Sequence, residues 1–169
     1  KGGGTRFYDF VGQNTVIEGI GAVLDGSGSH GTVENPWTSG LIVSPGAENV
    51  MIQGVTIKNF SQGVLIQSEG GCVTIGNANI MSCGTGVQVV GSTQVALDLT
   101  GTVVQGCETG VRLTGGTSNV TVSNGVIYNN VGDGIRLESG KDEPLYENRF
   151  QGVEVSQNGG NGIIIYDGS

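Results

Sequence analysis

The chain has 169 residues, of which 33 are glycine, 13% charged and 5% aromatic, with a formal net charge of −8. That length suits one domain with a real core, and the acidic balance, with no basic stripe, excludes nucleic acid as a natural partner. No segment approaches the roughly 20 apolar residues of a membrane-spanning helix, the glycines lack collagen's three-residue period, and apolar residues recur too evenly for disorder.

Abundant Val, Ile and Thr between frequent turn residues favour many short strands. The chain starts at Lys1 rather than Met, which reads as a mature product or a piece of a longer protein. No amphipathic capping segment precedes Phe7. The first long departure from strand patterning runs from Asp25 to Ser39 and contains His30, Glu34 and Trp37. One histidine without a partner reads as a surface residue.

From residue 40 onward the sequence repeats. A glycine followed by an apolar-x-apolar triplet recurs at Gly40, Gly63, Gly86, Gly110, Gly134 and Gly162, with spacings of 23, 23, 24, 24 and 28. Alternation with period two marks a strand with one face inward. Each repeat carries two further short strands, as in Val50-Met51-Ile52, Val55-Thr56-Ile57 and Val64-Leu65-Ile66. Three strands in about two dozen residues bury no core alone, but stacked at roughly 4.8 Å per coil they complete one. The expectation is an all-β, right-handed, three-sided parallel β-helix solenoid of about six coils, forming a single domain over residues 1–169.

Counting back from each glycine predicts two corner columns. Three residues before lie Phe60, Cys83, Cys107, Val131 and Gly159, expected to stack inside. Four before lie Asn59, Ser82, Gly106, Asn130 and Asn158, expected to form a polar ladder at a bend. Cys83 and Cys107 then stand one strand spacing apart, near enough for a disulfide but equally suited to packing reduced as small hydrophobes. Cys72 is alone, and no CxxC or His spacing suggests zinc. Asn59-Phe60-Ser61 and Asn119-Val120-Thr121 match the glycosylation pattern that many turns produce by chance.

The coil pattern of "NVTVSNGVIYNNVGDGIRL" resembles right-handed parallel β-helix proteins of the pectin-lyase-like superfamily, which includes polygalacturonases, pectate and alginate lyases, epimerases and phage tailspikes. The early stretch "GIGAVLDGSGSHGTVENPW" is similar to a polygalacturonase-like Gly-x-Gly-x-x-Asp-Gly-x-Gly segment, carried here by Gly19, Gly21, Asp25, Gly26, Gly28 and, after a longer gap, Trp37. The chain departs from that group at the catalytic motifs. Asp133 falls where the last residue of Asn-Thr-Asp would stand, yet no Asp-Asp, Gly-His-Gly or Arg-Ile-Lys follows, and Asn161 precedes Gly162. An inverting hydrolase needs an acid and a base carboxyl group roughly 6.5–9.5 Å apart, so no catalytic residue is assigned.

The resemblance implies that the glycine-anchored strand faces a substrate groove. Its outward middle positions are Ile42, Leu65, Gln88, Arg112, Arg136 and Ile164, and the next are Ser44, Gln67, Val90, Thr114, Glu138 and Tyr166. The substrate-binding candidates are therefore Trp37, Gln88, Arg112, Asp133, Arg136, Glu138 and Tyr166. Arginine forks suit sugar carboxylates and aromatic rings stack on sugars. The plainer alternative is that Arg112 or Arg136 pairs with Glu138 on a solvated face. The Asp25–Ser39 loop and the loop from Ser139 to Glu147 are expected to flank the groove. Asp142, Glu143 and Glu147 offer oxygens to calcium, but exposed acids in a turn rarely bind it, so no metal or cofactor is expected.

Two functions follow as expectations. One is an extracellular or cell-surface module that binds polysaccharide, with glycosidic-bond lyase or hydrolase chemistry if it is catalytic. The other is a structural segment of an adhesin, surface layer or fibre, self-associating end to end or joined to flanking domains through open coils such as "GIIIYDGS".

Overall fold

The computed structural model describes residues 9–10, 14–28 and 39–167. The alternating segments form short strands in three sheets, and among the described residues neighbouring strands pair in parallel. The first sheet stacks Asp9–Phe10, Ser39–Val43, Gln62–Ile66, Thr85–Val90, Thr109–Thr114, Ile135–Ser139 and Ile163–Asp167 in chain order. The second runs from Val16–Glu18 to Arg149–Gln151, the third from Val23–Asp25 to Glu154–Ser156, with six strands each. Every third strand joining the same sheet is the defining connectivity of a three-sided parallel β-helix. The only helical turn among the described residues is the 3₁₀ segment Gly26–Gly28.

Inward columns supply the core. Ile57, Ile80, Val104 and Ile127 stack from one coil to the next in the third sheet, all fully buried. Each such side chain contributes roughly 1.5–3 kcal/mol when removed from water. Where the third corner turns inward, Ser68, Ser92 and Thr117 are also fully buried. Their hydroxyls donate to backbone carbonyls such as that of Ala47 for Ser68 and Ile66 for Ser92, so this polar column is satisfied within the coils.

The anchor glycines form a column set by close approach. A Cβ on Gly63 would stand 2.6 Å from the Gly86 carbonyl, one on Gly86 2.6 Å from that of Gly110, and one on Gly110 2.6 Å from that of Gly134. No side chain fits such a gap, which is why the repeat is legible as a glycine period.

The corner before this strand differs from the expected columns. The bend residues with positive φ are Asn59, Ser82, Gly106, Asn129 and Gln157, and the next residue in each coil turns inward: Phe60, Cys83, Cys107, Asn130 and Asn158. Asn130 is 3% exposed, whereas Val131 is 72% exposed. The extra residue of the 24-residue coil falls between Asn130 and Gly134, so counting back from the glycine misplaces both. Asn130 wins the interior because its amide bonds backbone there. Its Oδ1 accepts from the Cys107 N–H at 3.0 Å, and its Nδ2 donates to the Val104 carbonyl and to Asn158 Oδ1. Valine has nothing to offer those groups.

Cys83 and Cys107 are both free thiols, buried one above the other. Each donates to the carbonyl two residues before it, Met81 and Gln105 respectively. The neighbouring Cys83 thiol and burial push the Cys107 thiol well above the ordinary range. Ile163 and Ile165 continue the inward columns of Ile135 and Leu137, yet they are 53% and 73% exposed, so the last described coil presents an open apolar end.

Candidate functional site

An open cavity of about 690 Å³ lies along the first sheet and the bend that leads into it. It crosses four coils, from Asn59–Gln62 through Ser82–Thr85 and Glu108–Thr109 to Val131, and ends on Gln88, Arg112, Arg136 and Glu138. Strand register builds the floor. Gln88 stands beside Arg112, and Arg112 beside Arg136, so three long polar side chains project from consecutive coils. Thr114, Glu138 and Tyr166 are likewise neighbours two residues further along.

The charged groups engage one another. Arg112 directs its Nε at 2.8 Å and its Nη2 to Glu138 Oε2. Arg136 donates from Nε to the other oxygen, Glu138 Oε1, and its Nη1 lies 3.5 Å from Asp133 Oδ2. The Arg136 guanidinium also sits over the Tyr166 ring, 4.4 Å from its centroid, a cation–π contact. Partial burial alone would raise the Glu138 pKa, but the hydrogen bonds from Arg112 and Arg136 outweigh it and hold the carboxyl below the usual glutamate value. The backbone N–H of Asn161, bonded to Asp133 at 2.9 Å, likewise holds that carboxyl below the ordinary aspartate value. For Arg136, burial opposes the charged form and the Glu138 carboxylate restores it, with the net shift upward. Both carboxyls are thus held as anions and Arg136 as a cation at neutral pH.

Five of the seven candidates therefore form one cluster: Arg112, Asp133, Arg136, Glu138 and Tyr166. Gln88 extends it along the groove. Asp133, expected to point outward, is 8% exposed and accepts both the backbone and the side-chain N–H groups of Asn161. It belongs to a polar column immediately before the anchor glycines, with Ser39, Gln62, Thr85 and Thr109. Ile42, also expected to face out, is 6% exposed. Trp37, with His30 and Glu34, lies outside the described residues. The Ser139–Glu147 loop turns back through a Gly140–Glu143 bridge and reaches Gly116, whose N–H donates to the Glu143 carbonyl. None of its residues lines the groove. Among the described residues no three His, Cys, Asp or Glu side chains converge as metal ligands.

The bend residues that line half the groove were missed from sequence. Their signal is the pair before each anchor glycine: Ser61-Gln62, Gly84-Thr85, Glu108-Thr109. Attention to the positions after the glycine alone passes over them. Asp25 forms a separate polar knot at the bend of the preceding coil, accepting from Asn59 Nδ2 at 2.8 Å and the Ser27 N–H at 3.0 Å, with Lys58 Nζ also 3.0 Å away. The Asn59 bond, followed by those of Ser27 and Lys58, pulls its pKa far below the aspartate value. The early Asp-Gly segment thus serves to fix a corner here.

No curated protein and no solved structure matches the chain. The family model described as a right handed beta helix region matches residues 39–169, the stretch in which the coil period, the glycine column and the groove all lie. That membership accords with the pectin-lyase-like resemblance. The chain belongs to the right-handed β-helix family.

Proposed function

We propose that the groove binds polysaccharide and that the domain acts by holding the glycan, outside the cell or at its surface, rather than by cleaving it. The observation that carries this reading is the open cavity across four coils, floored by Gln88 and Arg112 and edged by hydroxyl and amide side chains at the bend. Sugar hydroxyls both donate and accept, and Ser, Thr, Asn and Gln side chains answer both ways. Gln88 and Arg112 stand on strands paired on both sides, which lowers the ordering cost of binding. Bond cleavage is less well served. A glycosidase acid must arrive protonated, whereas Glu138 and Asp133 are held ionised. A base arginine must lose its proton, whereas Arg136 holds its proton more tightly.

A glycan array followed by titration calorimetry tests the reading. Removing one neutral hydrogen bond costs about 0.5–1.5 kcal/mol, a roughly 2- to 12-fold loss. Gln88→Ala should weaken binding by that amount, and Arg112→Ala by at least as much. Trp37→Ala asks whether the indole takes part. Full affinity in the Gln88→Ala, Arg112→Ala double variant would place the binding surface elsewhere.

A second reading rests on the exposed Ile163 and Ile165. Unpaired parallel strands accept another strand readily, so an end coil of another copy would stack there. Light scattering as a function of concentration tests it: self-association that Ile163→Lys abolishes supports stacking, and a monomer at all concentrations counts against it.

A further inference from the structure

Arginine recognises a carboxylate best through a planar edge that presents two parallel N–H groups. In this groove both arginines have already spent their Nε edge. Arg112 uses Nε and Nη2 on one oxygen of Glu138, and Arg136 uses Nε on the other. Arg136 Nη1 turns to Asp133. Two positive charges are thus matched by two negative ones within the cluster. Glu108, exposed on the groove wall, adds a further negative charge, and the whole chain carries −8.

We infer that the groove selects neutral glycans, and that Glu138 is the specificity-determining residue that excludes uronates and other anionic sugars. The inference rests on the polysaccharide-binding reading above. Glu138 is only 20% exposed at its side chain and is tied to arginines on its own coil and the preceding one, so it acts as a built-in competitor for any incoming carboxylate. An anion must either displace it from the Nε edges or take the outer Nη groups of guanidiniums that Glu138 already neutralises, and a like charge at close range costs binding energy. A neutral sugar meets no such penalty and finds Gln88, Thr85 and Thr109 along the same wall.

The test measures affinity of the intact domain for cello-, xylo- and mannohexaose and for oligogalacturonate, by calorimetry at low and high salt. The wild type should bind at least one neutral hexaose, with oligogalacturonate roughly tenfold weaker or worse, the scale of a lost charge-assisted pair. Glu138→Gln keeps the shape and removes the charge. It should raise the affinity for oligogalacturonate relative to the neutral hexaoses on the order of tenfold, in a salt-sensitive manner. A wild type that prefers oligogalacturonate overturns the selectivity while leaving the groove intact. A folded Glu138→Gln with unchanged preference overturns the role of Glu138. Should that variant fail to fold, the wild-type ranking of neutral against charged ligands still decides the selectivity. Binding of none of the four overturns the polysaccharide reading, and this inference with it.

Discussion

Replacing Asn130 by alanine isolates what the corner amide contributes. The side chain is 3% exposed and makes three bonds, accepting from the Cys107 N–H at 3.0 Å and donating to Asn158 Oδ1 at 2.9 Å and the Val104 carbonyl at 3.3 Å. Each is worth about 1 kcal/mol net, and an orphaned buried N–H costs about 1–3 kcal/mol. The loss should total about 3 kcal/mol. For a domain of this size that lowers the melting temperature by roughly 6–12 °C. Asn129 is the built-in control. It is exposed at φ 52°, a conformation glycine adopts freely, so Asn129→Gly should stay within about 0.5 kcal/mol of wild type. Urea unfolding followed by far-ultraviolet circular dichroism reads both variants. If Asn130→Ala loses less than about 1 kcal/mol, or Asn129→Gly loses as much as it does, the assignment of the interior column to Asn130 is refuted.

Three further outcomes are expected. Gly110→Ala would bring a Cβ within 2.5 Å of Ile127 and 2.6 Å of the Gly134 carbonyl, whereas at Gly76 the nearest atom is 3.7 Å away; the first should cost about 1–3 kcal/mol or prevent folding, the second little. Because Glu138 and Asp133 titrate below their ordinary values in the folded state, their stabilisation is complete above the unfolded-state pKa values and lost as pH falls through the folded ones. Stability should therefore drop as the pH is lowered below about 4.5, the ordinary glutamate value, and less steeply in Glu138→Gln when acid unfolding midpoints are compared. Iodoacetamide under native conditions should label the half-exposed Cys72 first, and Cys83 and Cys107 only on unfolding, as peptide mass mapping would reveal.

The solenoid was legible because its constraints recur. A glycine followed by an apolar-x-apolar triplet repeats six times, at five of them because no side chain fits beneath the next coil's carbonyl, and reading that period needs no tertiary information. What the period does not carry is where a coil stores its extra residue. Val131 reads as interior by hydropathy and Asn130 as surface, but unpaired backbone groups at the corner reverse the two. The groove was half legible for a similar reason. Register alone put Arg112, Arg136 and Glu138 on one outward face, whereas their engagement depends on side-chain direction. Which arginine edge meets which oxygen decides between a receptive surface and a self-neutralised one, and alternation is silent about that.

The corner column also limits how coils of this molecule can be exchanged. Phe60, Cys83 and Cys107 occupy it with a ring or a thiol that bonds within its own coil, whereas Asn130 and Asn158 reach back to the coil before them. The amide chain thus has a direction, with each asparagine serving the backbone of its predecessor. Recombining coils within either half preserves those partners. An asparagine coil therefore needs a coil before it: placed first in the stack, its amide would lose the N–H and carbonyl that Cys107 and Val104 supply to Asn130, so a protein that looks modular by period has, at this corner, a fixed reading order.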